Sequence, residues 1–149
     1  MALGRASFSP VTEETIELTL PSRIEAINKA ATAIAELVTH LGITEKTAFG
    51  IDIAVREALA NTVIHENRLD ETKLVEINVK SSLDSLEVSI RDQGQGFNPD
   101  TISDPTKEEN LLKSSGRGIF FMRNFFEEVD WSISPEGGTT VRMFMRRVN

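Results

Sequence analysis

The sequence predicts an α+β domain: a two-layer α/β sandwich in which a mostly antiparallel or mixed sheet is covered by helices on one face. Three observations carry that expectation. Five short runs alternate apolar and polar residues with a period of two, the mark of strands that bury one face only. Three other segments place apolar residues at helical spacing. Two pairs of the alternating runs are joined by short polar or glycine-rich turns and read as hairpins. With 149 residues, 40% of them hydrophobic, the chain is long enough for one domain with one core and too short for two independent ones.

After a loose, flexible opening to about Pro10, Ile16, Leu18 and Leu20 alternate with Thr15, Glu17 and Thr19, and Pro21 ends the strand. Ser22 with Glu25 three residues later has the spacing of a capping box, and Ile24, Ile27, Ala31, Ile34, Val38 and Leu41 continue at helical spacing to Gly42. Thr44 caps a second helix predicted to run to about Glu66, apolar around most of its circumference and therefore largely buried. Val75, Ile77 and Val79 and then Leu86, Val88 and Ile90 form the first hairpin, turning at Ser81 to Asp84. Residues 98–115 hold two prolines and several charges without sustained periodicity, which marks a functional or disordered loop in an otherwise compact domain. A short helix follows from about Gly118 to Phe126, and the strands at Val129 to Ile133 and Val141 to Met145 flank a Pro135-Glu136-Gly137-Gly138 turn.

Composition narrows the function. There is no cysteine, which excludes disulfide frameworks and thiolate metal sites. No apolar stretch reaches the length of a membrane span and no secretory leader is evident, so a soluble, cytoplasmic protein is expected. A formal net charge of −7 argues against direct nucleic-acid binding.

Three polar clusters then read together as an ATP site. On the second helix a step of four residues turns the side chain by about 40° and advances it about 6 Å, so Glu57, Asn61 and His65 form one stripe, with the small Ala54 and Ala58 beside it leaving room for a ligand. Asn61 offers a neutral oxygen of the kind Mg²⁺ takes alongside phosphates, and Glu57 is placed to deprotonate an attacking hydroxyl. Asp92 ends a strand and opens Asp92-Gln93-Gly94-Gln95-Gly96. Its carboxylate can accept from the exocyclic amine of adenine, while Gly94 and Gly96 let the backbone approach a planar ring. Gly116-Arg117-Gly118 precedes an apolar helix whose free amides favour phosphate oxygens, with Arg117 or Lys113 adding positive charge. No Walker sequence and no third glycine of a dinucleotide fingerprint is present, so the site uses another design.

These clusters resemble the GHKL ATPase superfamily of gyrase, Hsp90, histidine kinase and MutL type, whose domain is the Bergerat ATP-binding fold. Arg56-Glu57-Ala58-Leu59-Ala60-Asn61 is similar to its N box, Asp92-x-Gly94-x-Gly96 to its first glycine box, Gly116-Arg117-Gly118 to its second, and Gly138-Thr139-Thr140-Val141 to its terminal Gly-Thr element near adenine. The short form, the opening strand ending Leu20-Pro21-Ser22 and the pairing of Asn61 with His65 resemble the anti-sigma factor serine/threonine kinases of RsbW and SpoIIAB type. That resemblance implies ATP and Mg²⁺ as cofactors, Asn61 as the metal ligand, Glu57 as the base for a partner serine, and Asp92 as the reader of adenine. It places Thr139 and Thr140 beside the base and makes 98–115 an ATP lid within a single domain spanning 11–149. It further implies two partners, a sigma factor that is sequestered and an anti-anti-sigma protein of STAS type that is phosphorylated, and it makes a homodimer an expectation. A sensor histidine kinase catalytic domain would share the boxes but follow a helix pair bearing a phospho-acceptor histidine, which is not expected here. An alternative of another class is a binding module that senses ATP and captures a regulator without phosphorylating it.

Overall fold

A computed structural model describes residues 13–93 and 118–147. The opening segment to Pro10 and the expected lid at 98–115 lie outside the described residues. The first alternating run is strand β1 (Glu13–Pro21), followed by helices α1 (Ile24–His40) and α2 (Glu45–Ala60) and a π-helical turn (Asn61–Glu66). Then come β2 (Leu74–Ser82), β3 (Ser85–Arg91), α3 (Gly118–Phe125), β4 (Glu128–Ile133) and β5 (Thr139–Arg146). The strands form one sheet in the order β1-β2-β3-β5-β4, and every neighbouring pair is antiparallel. The expected α+β class is borne out.

Period-two alternation decides which face the helices cover. Leu18 lies opposite Ile77, Ile77 opposite Ile90, Ile90 opposite Val141, and Val141 opposite Trp131, so one apolar row crosses all five strands. Ile34 and Val38 of α1, Ile51, Val55 and Leu59 of α2 and Met122 of α3 join this face in a continuous buried core. Each such large side chain contributes about 1.5–3 kcal/mol of transfer free energy on burial. The neighbouring row on the other face, Thr19, Glu76, Arg91, Thr140 and Ser132, is polar throughout. Helix α3 is brought against α2 at Gly50, where a Cβ would overlap the Phe125 ring. Helix α3 is thereby set beside the helix that carries Glu57.

Local signals specified the end of α1 and the start of α2. Gly42, with φ 77°, closes α1 through its N–H to the Thr39 carbonyl and the Ile43 N–H to Val38. Thr44 caps α2 by accepting from the Thr47 amide. Two expectations are corrected. Ser22 is not a cap: the N-cap of α1 is Arg23 without a side-chain cap bond, and the Ser22 hydroxyl instead donates to the Lys73 carbonyl at 2.6 Å. The second helix reaches Glu66 as expected, but its last six residues from Asn61 are wound as a π-helix rather than an α-helix.

Candidate functional site

The change of winding begins at Asn61. Its N–H is shared between the carbonyls of Ala58 and Glu57, and farther along the Asn67 N–H reaches back five residues to Thr62 at 2.9 Å. Such π segments are rare and recur at functional sites. This one ends in two residues with left-handed backbone, Arg68 (φ 53°) and Leu69 (φ 58°), a conformation strained for non-glycine residues. The Leu69 N–H bonds to the Val63 carbonyl at 2.9 Å and the Asp70 N–H to Asn67 at 3.0 Å, which over-determines the turn.

Glu57 is half-buried one turn before Asn61. The Asn61 Oδ1 is buried and has no hydrogen-bond partner among the described residues. A buried amide oxygen left without a donor costs about 1–3 kcal/mol, so a ligand that supplies positive charge or a donor there is favoured. A neutral side-chain oxygen is a ligand type Mg²⁺ accepts, and the residue present fits that ion. Ala54 and Ala58 do not line open space: both are buried in the hydrophobic core. His65 is exposed, and His40 lies 3.4 Å from a Glu14 carboxylate oxygen at the far end of α1.

Asp92 sits just past the end of β3 with only 4% of its surface exposed. Its N–H donates to the Thr139 carbonyl at 2.9 Å, and its Oδ1 accepts from the Thr139 N–H at 3.0 Å. The reciprocal pair fixes the plane of the carboxylate. It depends on Gly138, whose φ is 88° and whose Cβ, were there one, would overlap the Asp92 backbone oxygen. Thr139 is thus brought to Asp92, but Thr140 is not. Strand parity places Thr140 opposite Arg91, in the polar row of the sheet. Gly94, Gly96, Lys113, Gly116 and Arg117 lie outside the described residues, and Gly118 is the first residue of α3.

Sequence reasoning missed Asn67, Gln93 and Glu66. Asn67 is fully buried and bonds to Ser22, Leu74 and Gln93, partners 7 to 45 residues away, so no local pattern announces it. Although Glu66 is exposed as a whole, partial desolvation of its carboxyl raises the pKa above the ordinary 4.5, and the charge of Asp92 adds to that, with Arg68 opposing. A folded-state pKa that is raised means stability present below the ordinary value and lost as pH rises through the folded one. Glu66→Gln is therefore expected to stabilise the protein against urea at pH 7, with the gain vanishing below about pH 4. An equal gain at both pH values would show that titration is not its cause.

Comparisons with known proteins agree with this fold. Residues 20–145 match the family model described as the histidine kinase-like ATPase domain. A serine-protein kinase RsbW of Halalkalibacterium halodurans is 29% identical over 142 residues, covering 90% of this chain and 85% of that protein. An anti-sigma F factor of Oceanobacillus iheyensis is 33% identical over 118 residues, 76% of this chain and 80% of its own length. Among solved structures, the RsbU and RsbW domains of Rv1364c from Mycobacterium tuberculosis share the fold, with a TM-score of 0.62 at 18% identity over 90% of this chain. This chain spans 32% of that longer one. Among the described residues no helix is long and apolar enough to cross a membrane.

Proposed function

We propose, for a chain that belongs to the histidine kinase-like ATPase domain family and within it to the anti-sigma serine/threonine kinases, that the site at Glu57, Asn61 and Asp92 binds Mg-ATP and transfers its γ-phosphoryl group to a serine of a small anti-anti-sigma protein of STAS type. The same protein sequesters a sigma factor in the cytoplasm, and phosphorylation of the antagonist sets how much of the kinase is available to do so. The buried Oδ1 of Asn61, one turn beyond Glu57 and without a hydrogen-bond partner among the described residues, is the observation that carries this reading.

In this assignment Asp92 accepts from the exocyclic amine of adenine, its carboxylate oriented by Thr139. Asn61 would hold Mg²⁺, which when bound offsets phosphate charge. Gly94, Gly96, Lys113, Gly116, Arg117 and Gly118 are assigned to the base and phosphates from their sequence pattern. The partner's serine oxygen attacks the γ-phosphorus, the bond from that phosphorus to the β,γ-bridging oxygen breaks, and ADP leaves. Glu57 takes the hydroxyl proton. Phosphoryl transfer asks mainly for positioning and charge stabilisation, which suits a site with one candidate base and few other reactive side chains.

Incubation with γ-labelled ATP, Mg²⁺ and candidate antagonist proteins tests the assignment. Label is expected on one serine of a cognate antagonist, with ATP binding measurable by titration in the absence of any partner. Saturable ATP binding without transfer to any antagonist would instead identify a module that senses ATP.

A further inference from the structure

We infer that Asn67 is a positioning residue for nucleotide-base selection, acting through Gln93 on Asp92; the inference rests on the assignment of Asp92 to the base. The ladder between β2 and β3 ends at Glu76 and Arg91, so Asp92 and Gln93 lie beyond the last strand pairing on that side. Asn67 replaces the missing strand. Its Oδ1 accepts from the Gln93 N–H at 3.0 Å, and its Nδ2 donates to Ser22 Oγ at 2.9 Å and to the Leu74 carbonyl at 3.2 Å. Only this amide orientation satisfies all three partners, since a backbone N–H needs an acceptor and a carbonyl a donor. The residue is 0% exposed, so water does not substitute for its bonds.

Gln93 is held twice, because its own Oε1 accepts from the Leu74 N–H at 2.8 Å. On the other side Asp92 is held by both backbone groups of Thr139. The base-reading carboxylate is therefore fixed between β5 and the end of the π-helical turn. Fixity matters for selection more than for attraction. Adenine presents an amine where guanine presents a carbonyl oxygen, and a carboxylate that cannot retreat welcomes the first and repels the second. Loosening it lets the site tolerate both. Asn67 itself touches neither nucleotide.

The test measures Kd for ATP and for GTP, each with Mg²⁺, on the full chain. Wild type is expected to favour ATP by about 10²-fold or more. In Asn67→Ala that ratio should fall by about 10-fold or more, the consequence of an unpaired Gln93 amide and a mobile Asp92. Ser22→Ala removes the outer link of the same network while leaving the bond to Gln93, so it should lower stability yet keep the ratio within about twofold of wild type. An unchanged ratio in folded Asn67→Ala overturns the inference, as does a Ser22→Ala ratio that falls equally far. If Asn67→Ala does not fold, Asn67→Ser takes its place under the same expectation. Amide exchange on nucleotide-free wild type adds an independent readout: the Gln93 N–H is expected to be protected, and exchange as fast as a solvent-exposed amide overturns the link. Wild type that binds neither nucleotide would overturn the nucleotide assignment itself, and the base-selection role with it, even if Gln93 is protected.

Discussion

Glu57→Ala is expected to lower phosphoryl transfer to the antagonist serine by roughly 10²-fold or more while leaving Mg-ATP affinity within a few-fold of wild type. The separation follows from geometry. Glu57 is on the last full turn of α2, whereas the candidate metal ligand starts the π-helical turn and the candidate base reader lies beyond β3. Removing the carboxylate takes away the proton acceptor without touching Asp92 or its clamp to Thr139. Glu57→Gln sharpens the test, because it preserves shape and polarity but cannot take a proton at neutral pH. Both variants should lose transfer together. If Glu57→Gln transfers phosphate at the wild-type rate, the residue only positions its neighbours; if Glu57→Ala does so too, it has no part in the reaction. Folding is checked by thermal melts, and nucleotide affinity by titration.

Gly138→Ala is expected to cost about 2–5 kcal/mol of folding stability, the sum of left-handed backbone strain and steric overlap. It should also weaken ATP binding well beyond what the stability loss explains. The added methyl would run into the backbone oxygen of Asp92, so relief requires Asp92 or the β4–β5 turn to move. Moving either breaks the reciprocal bonds between Asp92 and Thr139. Gly42→Ala supplies the comparison. Gly42 has similar left-handed geometry, with φ 77°, but no atom within 4 Å of where its Cβ would lie, and it sits at the end of α1 away from the site. That variant should cost about 1–2 kcal/mol and leave ATP affinity unchanged. Equal stability loss in the two variants, with wild-type nucleotide binding in both, would show that the contact with Asp92 is unimportant.

Most of the fold was legible because period-two and helical patterns are local. Each strand's alternation sorts its side chains between a covered and an open face before any partner is known. Signals at element ends were less reliable. Ser22 carries a capping-box spacing, yet its hydroxyl is used by the Lys73 carbonyl 51 residues away, since the same residue type serves both purposes. The π-helical winding from Asn61 could not be read either. Over six residues its period differs too little from that of an α-helix for side-chain patterning to record it.

The sequence by itself determined the element types, the apolar face of the sheet and the chemical inventory of the site: an acid and an amide one helical turn apart, an aspartate at a strand end, and glycines flanking a long loop. These are properties of residues and their near neighbours. Which of them meet depends on the packing of whole elements. Register placed Thr139 on Asp92 and, by the parity of one residue, turned Thr140 to the opposite face. Chain folding brought Asn67 to Gln93 across 26 residues and left the Asn61 oxygen buried without a donor among the described residues. Such contacts depend on how whole elements pack, because hydrogen-bond partners distant in sequence leave no periodic trace in the chain.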